Sequence, residues 1–261
     1  MGVHGKWIWY ELMSPDPAGS KAFYEAVFDW TLTLGTEPPM FYGHIVRGDG
    51  SGSTGGLLPL TDAMTSQGAR PAWVGYIAVD DVDAAVTAIT ARGGTLIMPK
   101  MTIEVGSFAM VKDCCGAPFY VMTPNMPAGG QPSRAYSPDG VGSCGWNELY
   151  SADPAKAIAF YTEVFGWTLP PPMDMGEMGQ YHFMANEDGQ FGAAMKTPGG
   201  LPASLWNFYF RVADFDAAVA AVSANGGTIR HGPMEVPTGD WVIAGTDPQG
   251  AMFHLVGQKK G

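Results

Sequence analysis

Two glutamates each stand two residues after a tryptophan, in Trp9-Tyr10-Glu11 and Trp146-Asn147-Glu148. In an extended segment that spacing puts the indole and the carboxylate on one face. A carboxylate among aromatic rings resists ionisation, which raises its pKa toward that of a working base. Glu11 and Glu148 can therefore act as general bases or as hydrogen-bond acceptors for a ligand. The competing role is structural, with each glutamate pairing to an Arg or to backbone and tying strands together. Recurrence does not separate the two roles, because a duplication copies structural residues as well. Asn207, Tyr209 and Arg211 alternate along another apolar segment, and His254 lies in a third. Glu148, His254 and Arg211 would together offer an acid, an imidazole and a cation, the candidate catalytic set. Tyr76 and Tyr120 occupy the matching segments of the first half.

The remaining reactive groups say less. Cys114 and Cys115 are neighbours, yet nothing basic surrounds them to stabilise a thiolate. Three cysteines in 261 residues do not make a disulfide framework and fit a reducing compartment. His44 and His182 could reach a site if they point inward, but sheet histidines more often serve structure. His231 reads as a surface residue. The sixteen methionines suit adaptable pockets and fill cores equally well. Walker loop, dinucleotide glycine fingerprint, His-Glu-x-x-His and nucleophile elbow are all absent.

The elements that must position these groups occur twice. Trp9-Tyr10-Glu11-Leu12 returns as Trp146-Asn147-Glu148-Leu149, and Asp16-Pro17 as Asp153-Pro154. At the same offset, Phe23-Tyr24 returns as Phe160-Tyr161 and Phe28-Asp29-Trp30 as Phe165-Gly166-Trp167. The offset then shortens by a few residues, as a loop deletion would leave it. It pairs Gly93-Gly94-Thr95 with Gly226-Gly227-Thr228, and Asp113-Cys114-Cys115-Gly116 with Asp247-Pro248-Gln249-Gly250. The chain is an internal duplication. We place domain 1 at residues 1–125, a linker at 126–140 and domain 2 at 141–261, because Met126–Ser133 is too rich in Pro and Gly for regular structure.

Within each copy a smaller pattern repeats. A strand at 7–13 precedes a helix capped by Ser14 or Asp16, with Ala22, Phe23, Val27 and Phe28 at helical spacing. Strands at 41–46 and 55–60 follow. A strand at 73–79 restarts the pattern, leading through Asp80-Asp81 to a helix bearing Val82, Ala85, Val86 and Ile89. Gly93-Gly94 stops that helix as a left-handed cap, and strands near 95–98, 106–112 and 118–122 close the copy. The fold class is α+β, with two strand–helix–strand–strand–strand (βαβββ) modules per domain and helices on one side of a mixed sheet. The net charge of −11 without a basic cluster argues against nucleic acid. No apolar run approaches the roughly 20 residues of a membrane span, and no signal core opens the chain, so a cytoplasmic location is expected.

Strand, Asp, Phe-Tyr, Phe-x-Trp, a second strand–helix and a closing Asp-x-x-Gly before an alternating apolar strand together resemble the vicinal oxygen chelate superfamily. That group includes glyoxalase I, extradiol dioxygenases, fosfomycin resistance proteins and bleomycin-binding proteins. The resemblance covers both halves, and the tandem form with Trp-x-Glu-Leu openings is similar to actinobacterial glyoxalase-like proteins of secreted-antigen type. It implies a cupped sheet with helices outside and, on the concave face, a divalent metal held by His, Gln or Glu. The implied ligand positions fall on Trp9, Val74 and Tyr120 in the first half, and on Trp146, Asn207 and His254 in the second. Only His254 is a good ligand, so no metal residue is assigned and no cofactor is expected, and the one route left to a divalent metal is a displaced site on Glu148 with His254 and Asn207. The cups would instead be lined by Trp9, Glu11, Tyr76 and Tyr120, and by Trp146, Glu148, Asn207, Tyr209, Arg211 and His254.

Two functions then compete. One is capture of a small organic molecule, as in bleomycin-binding relatives. The other is a glyoxalase-like lyase or isomerase acting on a small carbonyl or polyketide-like substrate. The richer polar set makes the second half the expected working site. A small molecule is the expected partner, and the two domains are expected to pack as an intramolecular pseudo-dimer, compatible with a monomer.

Overall fold

The computed structural model describes residues 2–38, 40–125, 133–199 and 204–260. Most of the expected linker core, residues 126–132, lies outside them; described residues 133–140 form no helix or strand and pair Tyr136 with Cys144 in an isolated bridge.

The first half runs β1 (Trp7–Ser14), α1 (Pro17–Val27), β2 (Trp30–Leu32), β3 (Gly43–Arg47), β4 (Ser53–Pro59) and the short α2 (Asp62–Ser66). Its second module is β5 (Ala72–Ala78), α3 (Val82–Ala91), β6 (Thr95–Ile103), β7 (Gly106–Lys112) and β8 (Pro118–Pro124). The second half repeats this with β9 (Cys144–Ser151), α4 (Pro154–Phe165), β10 (Met173–Asp174), β11 (Gln180–Asn186) and β12 (Gly189–Lys196). It ends with β13 (Leu205–Arg211), α5 (Phe215–Ala224), β14 (Thr228–Glu235), β15 (Trp241–Thr246) and β16 (Met252–Gly257). Each half builds one eight-stranded mixed sheet, in the orders β2-β3-β4-β1-β5-β8-β7-β6 and β10-β11-β12-β9-β13-β16-β15-β14. The fold is α+β, two βαβββ modules per half.

Local chemistry explains the boundaries. Asp16 caps α1 by accepting from the Gly19 amide at 3.0 Å, and Pro17 fills the first helical turn, where its missing N–H costs nothing. Asp81 caps α3 in the same way through Ala84, at 2.7 Å. Gly93 takes φ +83° directly after α3 while the Gly94 amide returns to the Ile89 carbonyl, the left-handed stop expected there.

The compact units do not coincide with the halves. One comprises Met1–Ile8, Gly75–Ser133 and Asn147–Asn207; the other comprises Trp9–Val74, Arg134–Trp146 and Phe208–Gly261. Each unit therefore joins one module from each copy. In the second unit, Phe23 and Tyr24 of α1 meet Phe253 of β16, and Tyr10 of β1 sits edge-on to Phe208 and Phe210 of β13. The Tyr24 hydroxyl accepts from Trp73 Nε1 at 2.9 Å and donates to Asp247 Oδ2 at 3.0 Å. The other oxygen of Asp247 accepts the amides of Gln249 and Ala251, which fixes the Asp-x-x-Gly turn. The first unit repeats the device, with Trp206 donating to Tyr161 at 2.8 Å, Tyr161 to Asp113 at 3.1 Å, and Asp113 closing its own turn. Burial pushes both tyrosines well above the usual phenol range and both aspartates above the usual carboxylate range.

These are the motif residues of the repeat, and their role is architectural. Tyr24→Phe strands a buried indole N–H and removes a donor from a buried carboxylate, as does Tyr161→Phe. Each is expected to cost about 1–3 kcal/mol in urea unfolding; unchanged midpoints for both would refute the relay.

Candidate ligand site

In the first unit, Glu148 lies on β9, almost fully buried, in register with Ala193 of β12. Tyr181 of β11 donates its hydroxyl to Glu148 Oε2 at 2.6 Å and packs edge-on to Phe183. The carboxylate thus has a phenol beside it, a pair able to hold or pass a proton. Tyr181 escaped the sequence reading, although register could have found it. Ala193 pairs with both Glu148 and Phe183, and Tyr181 is two residues from Phe183 on the same face. Asn147 donates to the Phe191 carbonyl and is structural. Asn207 is buried, and neither its amide oxygen nor its nitrogen has a hydrogen-bond partner among the described residues. Tyr76 and Tyr120, register partners on β5 and β8, stack at 4.2 Å with Phe108 against both.

In the second unit, Trp9 donates from Nε1 to the Tyr42 hydroxyl at 2.8 Å, and His44 stands edge-on to both rings. A Cβ on Gly56 would lie 2.0 Å from the Tyr42 oxygen, so that strand position must be Gly for the phenol to lie across it. Glu11 is buried on β1, as is Val74 on β5. Trp146 is half-buried, and its carbonyl lies 3.2 Å from the Cys144 sulfur. His182 is half-buried in the first unit and His231 is exposed in the second.

His254 is the singular residue. It is 2% exposed, its Nε2 has no hydrogen-bond partner among the described residues, and its ring lies 4.6 Å from that of Tyr209, its register partner. Burial alone drives its pKa down to about 3, so the imidazole is neutral at any physiological pH. Arg211, expected as a cation for the ligand, is otherwise engaged. Its guanidinium grips Asp240 through two bonds of 3.1 and 2.8 Å, and its Nε donates to the Pro138 carbonyl. Asp240 also takes Gln258, and Arg211 holds its carboxyl below the usual range. The strand alternation that pointed to Arg211 could not show its partner, because Asp240 lies on a different strand connection.

Trp9, Val74, Tyr120 and Trp146 offer no donor suited to a divalent ion, Asn207 a poor one, and His254 one nitrogen. Among the described residues no cluster of three or more His, Cys, Asp or Glu could hold a metal. The residues at the superfamily's ligand positions therefore do not fit the ion.

The model of the Glyoxalase/Bleomycin resistance protein/Dioxygenase superfamily matches residues 7–120 and again 143–255. The chain belongs to this superfamily. "Putative glyoxylase CFP32" of Mycobacterium tuberculosis (strain CDC 1551 / Oshkosh) is 30% identical over 250 residues, covering 95% of this chain and 93% of that protein. "Anthracycline biosynthesis protein DauV" of Streptomyces sp. (strain C5) is 29% identical over 262 residues, covering 95% of this chain and 91% of its own. Among solved structures, the Mn(II)-bound glyoxalase from Novosphingobium aromaticivorans aligns with TM-score 0.64 at 16% identity, over all of this chain and 84% of that one. At that identity the likeness concerns the fold. Among the described residues, no helix of this superfamily member is long and apolar enough to cross a membrane.

Proposed function

We propose that this superfamily member binds a small organic molecule, with planar aromatic polyketides the chemistry that fits best, and does so without the superfamily's usual metal. The carrying observation is His254. A buried polar nitrogen ordinarily has a partner, and leaving it without one costs stability. A bound ligand would supply that partner, and the neutral ring of His254 can accept or donate a hydrogen bond, depending on tautomer. The half-buried indoles of Trp9 and Trp146 and the 29% identity to a protein named for anthracycline biosynthesis support an aromatic ligand. A lyase or isomerase role is the second reading. The Tyr181–Glu148 pair favours it, since a carboxylate hydrogen-bonded to a phenol can relay a substrate proton.

The test is a thermal-shift screen of the whole chain against an anthracycline-type aromatic polyketide and, separately, a small α-oxoaldehyde. The polyketide is expected to raise the melting temperature. His254→Ala should remove that shift, while Tyr120→Phe, in the other compact unit, should leave it. Loss from Tyr120→Phe with His254→Ala silent would overturn the assignment. Turnover of either compound that Glu148→Gln abolishes would favour the enzyme. Elemental analysis is expected to find no stoichiometric Zn, Ni, Fe or Mn; one equivalent surviving dialysis would defeat the metal-free reading.

A further inference from the structure

The Asp-x-x-Gly turn occurs twice, and the two copies carry different chemistry. In the second half its middle positions are Pro248 and Gln249, and Gln249 accepts from Ser20. In the first half they are Cys114 and Cys115. Both turns close alike, through the Asp side chain accepting the amides two and four residues on. The fold therefore builds this turn without sulfur, and nothing in its geometry demands two thiols.

The turn presents those thiols side by side. The sulfurs are 3.8 Å apart, both residues are half-buried, and a Cβ on Gly116 would meet nothing within 4 Å. Each sulfur also lies 3.6 Å from a carbonyl oxygen in the first turn of α4, Cys114 from Lys156 and Cys115 from Asp153. Burial and the neighbouring Cys115 push the Cys114 thiol up to about 12, so it rests protonated. Thiolate attack on a peroxide or disulfide is thereby disfavoured at Cys114.

We propose that Cys114 and Cys115 form a dithiol site for monosubstituted trivalent arsenicals. An organoarsenic(III) oxide, R–As=O, condenses with the two thiols: two As–S bonds form, both S–H bonds break, and the oxygen leaves as water with the two protons. Arsenic remains trivalent, so no oxidant or reductant takes part. The arsenic keeps its carbon substituent as third ligand and asks only two sulfurs of the protein. Inorganic arsenite would want a third thiol, and Cys144 is fully buried elsewhere. Zinc would want four ligands, and among the described residues no His, Asp or Glu joins the two cysteines in a cluster of three or more. The turn is held by the Asp113–Tyr161 bond, so the sulfurs start close together and the second As–S bond forms intramolecularly.

Intact-mass spectrometry of the full chain with phenylarsine oxide tests this. One phenylarsenic group per chain should survive excess glutathione, a monothiol, and be stripped by a small dithiol. Cys114→Ser and Cys115→Ser should each weaken retention by about a hundredfold or more, the usual gain of a second tethered bond. The Cys114→Pro/Cys115→Gln double variant, which copies the second-half turn, should keep the fold by circular dichroism and lose the adduct. An adduct mapping to Cys144, one that glutathione removes, or equal retention of zinc would overturn the proposal.

Discussion

His254→Leu is expected to raise the unfolding free energy of the ligand-free protein at pH 7.5 by about 1–3 kcal/mol, the cost of a buried polar atom without a partner. Leucine nearly fills the same volume and asks for no hydrogen bond. The same substitution should weaken the bound polyketide at least about tenfold, which corresponds to roughly 1.4 kcal/mol of lost ligand contact. Opposite signs on stability and affinity are the signature of a group kept for binding. Urea unfolding and ligand titration of the same preparations measure both. If the leucine variant is instead destabilised, His254 is satisfied by the fold and the carrying observation fails.

A second large effect concerns acid. The folded-state pKa of His254 is about 3, below the roughly 6.5 of an unfolded histidine. Between those values only the unfolded chain binds the proton, so stability rises with pH across this window and is lost as pH falls through it. Each pH unit is worth about 1.4 kcal/mol, so the whole window approaches on the order of 5 kcal/mol. Asp113 and Asp247 work the other way. Their folded pKa values are raised, so their contribution is present at low pH and lost as pH rises through them. They are common to wild type and His254→Leu, so the difference between the two pH profiles isolates the histidine. A difference that stays flat from pH 6.5 to 4 would show that His254 is hydrated.

The sequence was legible where a residue's job is local. Asp16 and Asp81 cap helices and Gly93 stops one. It was silent where the job depends on a distant partner. The duplication aligned Tyr24 with Tyr161 and Asp113 with Asp247, but alignment cannot say that each tyrosine bonds the aspartate of the other copy. Arg211 looked available because Asp240 cannot be seen from β13 alone. Tyr181 was missed because β11 was read for its histidine, while the neighbour one position earlier carries the hydroxyl. The three-residue β2 was too short for periodicity to announce.

The same crossed pairing orders events in time. Asp113 and Tyr161 are 48 residues apart in the chain, whereas Tyr24 and Asp247 are separated by 223. A ribosome adding roughly 5–20 residues per second releases the first pair together, long before the second pair can meet. The unit around Tyr161 can therefore condense during synthesis, while the N-terminal module waits for the last strands to emerge. During that wait Tyr10, Phe23 and Trp73 lack the Phe208, Phe210 and Phe253 rings that will bury them. The N-terminal module is thus the stretch of this protein most in need of a chaperone, and the last to become resistant to proteases.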